Sequence, residues 1–258
     1  MNVLNTTSLG VAKTYNLWAK HQQFAAVRLI KLLPDIQFSR ILDAGCGTGL
    51  LTQMAYNRYR SATLLGIDRS EQMINYCQIH FGHIKNMNFL VHDLEKLNKV
   101  SSPLDLILSN FTFQWVTNID CVFETFVESL IPGGYFGIAV PIKGSLFEMH
   151  NSFKSTFDSE MPSLDYRNSD DYISALEQHA FSICTSQVED ICVSFYGIDA
   201  LRYFKYTGTT FRNDPSHRPA TIKEINKLLA YYEKKYGNNN KLLPLTFKVL
   251  FIIAQKKL

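Results

Sequence analysis

One segment, Ile41-Leu-Asp-Ala-Gly-Cys-Gly-Thr-Gly49, combines an apolar start, an acid and three glycines at alternate positions. Its apolar start predicts a buried strand. The glycines predict a tight loop whose backbone a ligand can approach closely, because side chains are missing there. Residues 50–59 then carry Leu51, Met54 and Ala55 on one side of a predicted helix. Strand, loop and helix together predict the first half of a βαβ unit.

A second apolar run, Ala62-Thr-Leu-Leu-Gly-Ile67, follows that helix and ends in Asp68. A carboxylate at the tip of the second strand of a βαβ unit can accept hydrogen bonds from both hydroxyls of a ribose. The first strand also carries an acid near its tip, Asp43. A glycine turn needed only for packing would not require both acids, so the pair indicates a ligand that contains a nucleoside.

The glycine spacing separates two classes of cofactor. Dinucleotide-binding enzymes favour G-x-G-x-x-G, with the pyrophosphate on the N-terminus of the helix. Here the glycines follow an acid as G-x-G-x-G, a pattern that resembles the class I S-adenosylmethionine (SAM)-dependent methyltransferases. The resemblance implies that SAM is the cofactor and that its methionine part lies on the loop. It assigns cofactor binding to Tyr15, Asp43, Gly45, Cys46, Gly47, Gly49, Asp68, Arg69, Met73, Asp93, Leu94, Asn110, Phe111 and Trp115.

Further strands and helices alternate along the chain. Strands are predicted at 88–92, 104–110, 135–140, 191–196 and 245–254, and helices at 11–33, 70–77, 123–130, 145–157, 169–180, 199–206 and 221–235. This alternation predicts an α/β, Rossmann-like fold: a seven-stranded, mostly parallel sheet with helices on both faces and a helical lid. We expect a single domain over residues 1–258, with residues 141–180 as the lid over the carboxyl ends of the strands.

Polar residues end several predicted strands, and the carboxyl ends of parallel strands form one ligand-binding edge. Besides Asp43 and Asp68, these residues are Asp93 and Asn110. By the methyltransferase resemblance, Asp93-Leu94 would meet the adenine amino group, although Asp93 taken alone fits a helix cap equally well. Arg69 lies either against the adenine or in solvent.

Aromatic residues are predicted to shape the methyl-transfer pocket. Ser109-Asn-Phe-Thr-Phe-Gln-Trp115 lacks the Asn/Asp-Pro-Pro-Tyr/Phe motif of many amino-methylating members, which argues against methylation of bases or glutamine. We expect Trp115 and Phe113 to wall the pocket. The segment from Tyr15 to residue 23 resembles the arm that closes over SAM. Tyr15 either packs on the cofactor or is an ordinary core tyrosine, and His21 is the histidine of most interest.

Composition limits the class of protein. Hydrophobic residues make up 46% and charged residues 19%, which is ordinary for a globular protein. The net charge of +3 is too small to indicate nucleic-acid binding. Five scattered cysteines without C-x-x-C spacing or cysteine–histidine clusters predict reduced thiols, a cytoplasmic protein and no metal site. No signal peptide is predicted, and the longest apolar stretch, residues 249–254, is too short to span a membrane.

Five segments make the resemblance sharper. They are Tyr15-Asn-Leu-Trp-Ala-Lys-His-Gln-Gln23, Leu42-Asp-Ala-Gly-Cys-Gly-Thr-Gly49, Ser109-Asn-Phe-Thr-Phe-Gln-Trp115, Lys143-Gly-Ser-Leu-Phe-Glu-Met149 and Leu243-Pro-Leu-Thr-Phe247, and the last two are the more specific. In this order they look like the malonyl-acyl-carrier-protein O-methyltransferases, which open pimelate synthesis for biotin. The chain departs from that family's pattern around Met161 to Asn168, where an asparagine beside a phenylalanine or tyrosine is usual and this chain reads Ser-Leu-Asp-Tyr-Arg-Asn. The departure concerns the lid's contacts with the acceptor.

The resemblance implies malonyl-acyl-carrier protein or malonyl-CoA as the partner, with a free carboxylate as the methyl acceptor. A carboxylate is ionised at neutral pH, so no general base is required, and catalysis depends on holding it near the methyl group and excluding water. Because removing an unpaired carboxylate from water is costly, a cation is expected beside it. Lys205 and Arg202 are the first candidates for this catalytic role, and Lys143, Arg167 and Arg212 are others.

Two other functions fit the same motifs. One is a different small-molecule O- or C-methyltransferase, for example one acting on an aconitate-like acid or a quinone precursor. Such an enzyme would share the cofactor half and differ in the second half. The other is a non-catalytic SAM-binding accessory protein, whose usual mark is a broken glycine loop or a missing ribose acid. Both features are intact here, which favours an enzyme.

Overall fold

The apolar run before the glycine loop becomes β1 (Arg40–Ala44), the middle strand of five parallel strands. The computed structural model describes residues 8–98, 100, 103–161, 164–207 and 220–258. In it, β1 lies between β2 (Thr63–Asp68) and β4 (Leu104–Asn110). β3 (Met87–Val91) pairs with β2, and β5 (Leu130–Pro141) pairs with β4.

Two long strands complete the sheet beyond β5. β7 (Leu242–Lys256) pairs antiparallel with β5 and with β6 (Phe181–Tyr196), so the strand order is β3-β2-β1-β4-β5-β7-β6. The predicted seven-stranded, mostly parallel sheet is confirmed. β6 is much longer than the strand predicted at 191–196. Its residues alternate in burial, and an edge strand needs only one apolar face, so its polar residues conceal it from a search for apolar runs.

Helices connect these strands. The described residues contain α1 (Ser8–Trp18), α2 (Lys20–Leu32), α3 (Leu50–Arg58), α4 (Glu71–Phe81), α5 (Ile119–Ser129), α6 (Phe147–Phe157), α7 (Ser169–Gln178), α8 (Asp199–Thr207) and α9 (Ile222–Tyr236). The predicted helix at 11–33 is two helices, because the backbone leaves the helical region at Ala19 (ψ +45°). The other helices begin and end within four residues of the predicted positions.

Apolar side chains pack on both faces of the sheet, and β4 shows how the sequence achieves this. Leu106 and Leu108 belong to the core on one face, and Ile107 belongs to the core on the other. Successive side chains of a strand point to opposite faces, so a continuous apolar strand can be buried on both sides. α2, α3, α8 and α9 contribute to the first core, and α5 and α7 contribute to the second.

β7 extends beyond the end of β5, so one edge of residues 244–248 has no strand partner. The segment after β5 supplies hydrogen bonds to that edge instead. The Lys248 backbone N–H donates to the Ser145 hydroxyl oxygen (3.1 Å), and the Thr246 N–H donates to the Glu148 carboxylate (3.2 Å). The two segments that made the family resemblance most specific therefore form one structural unit.

The segment predicted to be a lid lies on both faces of the sheet. α6 packs against α9 and β7, whereas α7 packs against α5 and β6. Its role as a lid stays a prediction. Among the described helices, none has the length and apolar character needed to cross a membrane. All five cysteines are in described parts of the chain, and all are free thiols.

Candidate active site

A cleft lies at the carboxyl ends of β1, β2 and β4, where the strand order changes direction. The cleft is lined by thirteen of the fourteen residues predicted to bind the cofactor: Tyr15, Asp43, Gly45, Cys46, Gly47, Asp68, Arg69, Met73, Asp93, Leu94, Asn110, Phe111 and Trp115. The exception is Gly49, which directly precedes α3. The topology thus collects residues from distant parts of the sequence at one place.

The three glycines of the loop are required for different reasons. Their φ angles are +79° at Gly45, +53° at Gly47 and +79° at Gly49, a region that favours glycine. A Cβ added at Gly45 would lie 2.2 Å from Thr112, and one at Gly49 would lie 2.9 Å from Phe81. At Gly47 an added Cβ would meet nothing within 4 Å. Gly45 and Gly49 therefore permit close packing, whereas Gly47 leaves space open in the cleft.

Asp68 holds the glycine loop against the end of β2. Its Oδ2 accepts a hydrogen bond from the Gly47 backbone N–H (2.9 Å), and its Oδ1 accepts one from the Ser70 N–H (2.9 Å). An ionised carboxylate has about four lone-pair sites. Asp68 therefore keeps an acceptor site on each oxygen for the hydroxyls of a ligand.

Asp43 is a buried carboxyl with one unpaired oxygen. Asp43 is 1% exposed, and its Oδ2 accepts a hydrogen bond from the Thr52 hydroxyl (2.6 Å). Oδ1 has no partner among the described residues. Burial raises the pKa of Asp43 to about 7, the hydrogen bond from Thr52 opposes this, and the charge of Asp68 adds to the rise. A cationic donor in the cleft would supply the missing partner and favour the ionised form.

Two amide side chains add further unpaired acceptors to the cleft wall. Gln22 Oε1 and Asn110 Oδ1 are buried without a partner in the described chain. The Asn110 Nδ2 donates to the Gln22 carbonyl (2.9 Å), which orients the side chain. An ammonium group offers three donors and no acceptor. These two residues and Asp43 therefore fit the amino group of SAM, and the space at Gly47 fits its methionine chain.

The predicted arm over the cofactor consists of α1 and the start of α2. Tyr15 lines the cleft, and the next residue, Asn16, accepts a hydrogen bond from the Thr48 hydroxyl of the glycine loop (2.6 Å). Gln23 Nε2 donates to the Asn16 carbonyl (2.7 Å) across the break between the helices. Burial, and then the charge of Asp68, raises the pKa of Tyr15 above its ordinary range, so its hydroxyl stays protonated.

The position of Asp93 is compatible with both alternatives that the sequence left open. It lines the cleft, and its Oδ1 also accepts a hydrogen bond from the Glu95 N–H (3.1 Å) at the start of a short 3₁₀ turn. Arg69 lines the same cleft and is not confined to solvent. The end of the cleft beside β2 and β3 therefore offers a carboxylate and a guanidinium to a ligand.

Other cleft residues were not assigned to the cofactor site by the sequence analysis. They are Asn16, Ala19, Gln22, Gln23, Thr48, Leu50, Leu51, Ser70, His92, Glu95, Thr112, Val116 and Thr207. Most are sequence neighbours of predicted residues, so the motifs already pointed to them. Thr207 is different, because it comes from the end of α8 and reaches the cleft only through tertiary packing.

The structure corrects the prediction for Phe113 and places His21, the histidine that the sequence singled out, in the core. Phe113 was expected to wall the pocket, but it is fully buried and stacks on Phe123 with a centroid distance of 5.2 Å. His21 is also fully buried, and its Nε2 lies 2.8 Å from the Leu245 carbonyl. Burial lowers the pKa of His21 to about 4, so it is neutral at physiological pH. Trp115, in contrast, does line the cleft.

The structure does not place the two first-choice cations in the cleft. Arg202 and Lys205 are on the exposed side of α8. Arg202 Nη1 is paired with Asp199 Oδ1 (2.9 Å), and Lys205 Nζ lies 5.8 Å from the centre of the Tyr206 ring. This arrangement does not support their role in binding the acceptor carboxylate, which stays a prediction.

The other candidate cations lie elsewhere as well. Lys143 is exposed, and Arg167 Nη2 donates to the Thr117 carbonyl (2.8 Å). Arg212 is outside the described residues. Among the described residues that line the cleft, Arg69 alone carries a permanent positive charge. Within this part of the chain, the cleft thus has one cation, at its β2 end, together with the carboxyl groups of Asp43, Asp68 and Asp93 and neutral polar side chains.

Comparison with known proteins agrees with this geometry. Residues 41–134 match the family model of a methyltransferase domain. The chain is also similar to the malonyl-[acyl-carrier protein] O-methyltransferase 2 of Ilyobacter polytropus, with 29% identity over 95% of this chain and 94% of that protein. A malonyl-[acyl-carrier protein] O-methyltransferase of Marinomonas sp. is 26% identical over 95% of this chain and 90% of its own length.

Solved structures share the fold. A putative methyltransferase from Bacillus halodurans has a TM-score of 0.63 at 12% identity, over 90% of this chain and 99% of that one. A geranyl diphosphate C-methyltransferase from Streptomyces coelicolor, in complex with S-adenosyl-L-homocysteine among other ligands, has a TM-score of 0.55 at 15% identity. The match covers 90% of this chain and 76% of that one. The chain therefore has the class I methyltransferase fold, its residues 41–134 match a methyltransferase domain, and it is similar over nearly its whole length to malonyl-[acyl-carrier protein] O-methyltransferases.

Proposed function

We propose that this protein transfers the methyl group of SAM to the free carboxylate of a malonyl thioester on an acyl-carrier protein. The observation that carries the proposal is the similarity to malonyl-[acyl-carrier protein] O-methyltransferases over 95% of the chain. A match limited to residues 41–134 would support a methyltransferase domain alone. The similarity extends through the second half of the chain, where methyltransferases that act on different acceptors differ.

The cleft residues divide the binding of the cofactor among them. SAM, when bound, supplies a methyl group on a positively charged sulfur. The free acceptor sites of Asp68 suit the ribose hydroxyls, and Asp93 suits the adenine amino group. The unpaired oxygens of Asp43, Gln22 and Asn110 suit the ammonium group. In each case the cofactor supplies a hydrogen-bond donor, and the protein supplies a side-chain oxygen that can still accept a hydrogen bond.

The chain needs to orient the acceptor and does not need to activate it. A malonyl carboxylate is ionised at neutral pH, so no side chain must remove a proton. Tyr15, Phe111 and Trp115 line the cleft and reduce its contact with water. Positioning and exclusion of water are then the sources of the rate increase.

The product differs from the substrate by the loss of one negative charge. A methyl-esterified malonyl group can be extended like an ordinary acyl primer, and the family resemblance places this step at the start of pimelate synthesis for biotin. Malonyl-CoA offers the same acyl group and is proposed as a second acceptor. The free thiols support a reducing compartment, so we place the enzyme in the cytoplasm. We also propose that residues 141–180 act as the lid.

The test is methyl transfer from labelled SAM to malonyl-acyl-carrier protein, malonyl-CoA and free malonate under the same conditions. We expect transfer to the thioesters and much less to malonate. Equal activity on malonate and on the carrier-bound form would contradict thioester recognition and leave a general carboxylate methyltransferase. SAM binding without transfer to any of the three would favour a different acceptor or a non-catalytic accessory protein.

A further inference from the structure

Two tyrosine hydroxyls are buried behind the cleft, and neither proton has an acceptor. They belong to Tyr166, which precedes α7, and to Tyr203 of α8, and no described residue accepts a hydrogen bond from either hydroxyl. Both rings pack around Phe247, with centroid distances of 6.4 Å for Tyr166 and 6.2 Å for Tyr203. A buried hydroxyl without a partner costs free energy relative to one that is solvated or bonded. Two of them in one cluster indicate donors that are reserved for a ligand.

The cluster lies directly behind the wall of the cleft. Tyr15, Gln22 and Thr207 line the cleft. The same three side chains lie close enough to the Tyr203 hydroxyl to change its pKa. Burial raises that pKa most, the charges of Tyr15 and Tyr166 raise it further, and side-chain hydrogen bonds from Gln22 and Thr207 to the phenol oxygen lower it. The amide oxygen of Gln22 accepts no hydrogen bond in the described chain, whereas the Gln22 side chain does hydrogen-bond to Tyr203.

The chemistry of the cluster suits an anion. A protonated phenol donates one hydrogen bond, and burial raises the pKa of both tyrosines, so both hydroxyls stay protonated. Hydrogen bonds from a hydroxyl to a carboxylate are short and about twice as strong as bonds between neutral groups. His21 packs edge-on against Tyr203 and is neutral at physiological pH, so it neither repels nor attracts a carboxylate.

We propose that the hydroxyls of Tyr166 and Tyr203 bind the carboxylate of the acyl acceptor, which reaches them between Gln22 and Thr207. This inference rests on the proposed function and replaces the expected cation with two neutral donors. A fixed cation beside the acceptor would repel the positively charged sulfur of the cofactor, whereas neutral hydroxyls would not. After methylation the acceptor is neutral, its bonds to the hydroxyls weaken, and release of the product becomes easier.

The experiment compares the binding of malonyl-CoA with that of its methyl ester, in the presence of S-adenosyl-L-homocysteine, by calorimetry. The variants are Tyr166→Phe, Tyr203→Phe and the double variant. The matched control is Tyr59→Phe, because Tyr59 also has a buried, unpaired hydroxyl. Tyr59 precedes β2 and so lies at the amino ends of the strands, away from the cleft. Each substitution keeps the ring and removes one hydroxyl, so we expect every variant to fold and to bind S-adenosyl-L-homocysteine normally.

In the wild type we expect the carboxylate form to bind more tightly than the methyl ester. Tyr166→Phe and Tyr203→Phe should each lose about tenfold or more of that preference, as expected for a hydrogen bond to a charged group. Tyr59→Phe should keep it. A preference that survives in the double variant, or one that is absent from the wild type, would overturn the inference. A wild type that shows the preference but transfers no methyl group would overturn the proposed function and leave the carboxylate site standing.

Discussion

At the scale of single residues, Gly47 separates what the fold needs from what the ligand needs. Its φ of +53° and the empty space around an added Cβ predict that Gly47→Val folds with a loss of about 1–2 kcal/mol from backbone strain. The valine side chain would project into the cleft, so we expect SAM binding to be lost. Chemical denaturation measures the first effect, and calorimetry with SAM measures the second.

Gly197 provides the matched control for this substitution. Its φ is +43°, an added Cβ would meet nothing within 4 Å, and it does not line the cleft. Gly197→Val should therefore show similar strain and normal SAM affinity. If Gly47→Val bound SAM as strongly as Gly197→Val, the glycine loop would be a packing device and the proposed cofactor site would lose its main support.

Asp43 predicts an unusual dependence of stability on pH in the absence of cofactor. Its folded pKa of about 7 is above its ordinary value of 3.8, so the folded state holds a proton between these pH values that the unfolded state has lost. The contribution of Asp43 to the free energy of unfolding therefore falls as pH rises from 4 to 7. Asp43→Asn removes this titration.

The measurement is the free energy of unfolding of wild type and Asp43→Asn from pH 5 to pH 8. The difference, variant minus wild type, should grow with pH by a few kcal/mol at most, since one pKa unit corresponds to about 1.4 kcal/mol. Without cofactor, the folded protein favours the protonated form of Asp43. Bound SAM should favour the ionised form, because its ammonium group is positively charged. Asp43→Asn should therefore bind SAM more weakly. A stability difference that stays flat with pH would mean that Asp43 ionises normally.

At the scale of elements, the edge of β7 depends on a side chain from α6. Glu148 is 2% exposed, and its carboxylate accepts hydrogen bonds from both the backbone N–H and the hydroxyl of Thr246. Glu148→Ala leaves both donors buried without a partner. We expect a loss of about 2–4 kcal/mol in the free energy of unfolding, because each unsatisfied buried donor costs about 1–3 kcal/mol.

Glu160 is the control for this prediction. It lies near the other end of α6, and it pairs with Lys154 (2.6 Å) with 71% of its side chain exposed. Exposed pairs contribute little to stability, so Glu160→Ala should leave the denaturation curve nearly unchanged. A similar loss in both variants would show that Glu148 acts through general electrostatics and not through the edge of β7.

At the scale of the whole molecule, one side of α8 contributes to the cleft, and we expect the other side to contribute to binding of the carrier protein. Thr207 lines the cleft, while Lys205 is on the exposed side of the same helix. An exposed lysine two residues before the cleft-lining Thr207 can attract an acidic carrier protein without entering the cleft. We therefore expect Lys205→Ala to lower kcat/KM on malonyl-acyl-carrier protein and to leave malonyl-pantetheine, which has no other charge, unaffected. Raised salt should mimic this selective loss, by about tenfold, because exposed charges are screened.

Lys85→Ala is the control for Lys205→Ala. Lys85 is also an exposed lysine, but it precedes β3 and so lies at the amino end of the strands, away from the cleft. Lys85→Ala should leave both substrates unaffected. An equal loss on malonyl-pantetheine in Lys205→Ala would place this lysine in the acceptor site after all, as the sequence suggested.

The cofactor half of the molecule was predictable from the sequence because its signals are local. Gly45, Gly47 and Asp68 each follow an apolar run within a few residues, and parallel strands bring their carboxyl ends together in any fold of this type. The choice of SAM over a dinucleotide followed from the glycine spacing. Thirteen of the fourteen residues assigned to the cofactor accordingly line one cleft.

The acceptor half was decided by tertiary structure. Tyr166, Tyr203 and Phe247 come from three separate segments of the chain, and no local pattern predicts that they meet. Arg202 and Lys205 had suitable chemistry for the acceptor, but helical periodicity turns them to the exposed side of α8 and brings Thr207 to the cleft. Sequence by itself determined the sheet and the nucleoside end of the cleft, because short-range order is enough for both. Packing determined which polar groups are left buried and unpaired, because that depends on contacts between residues far apart in the chain.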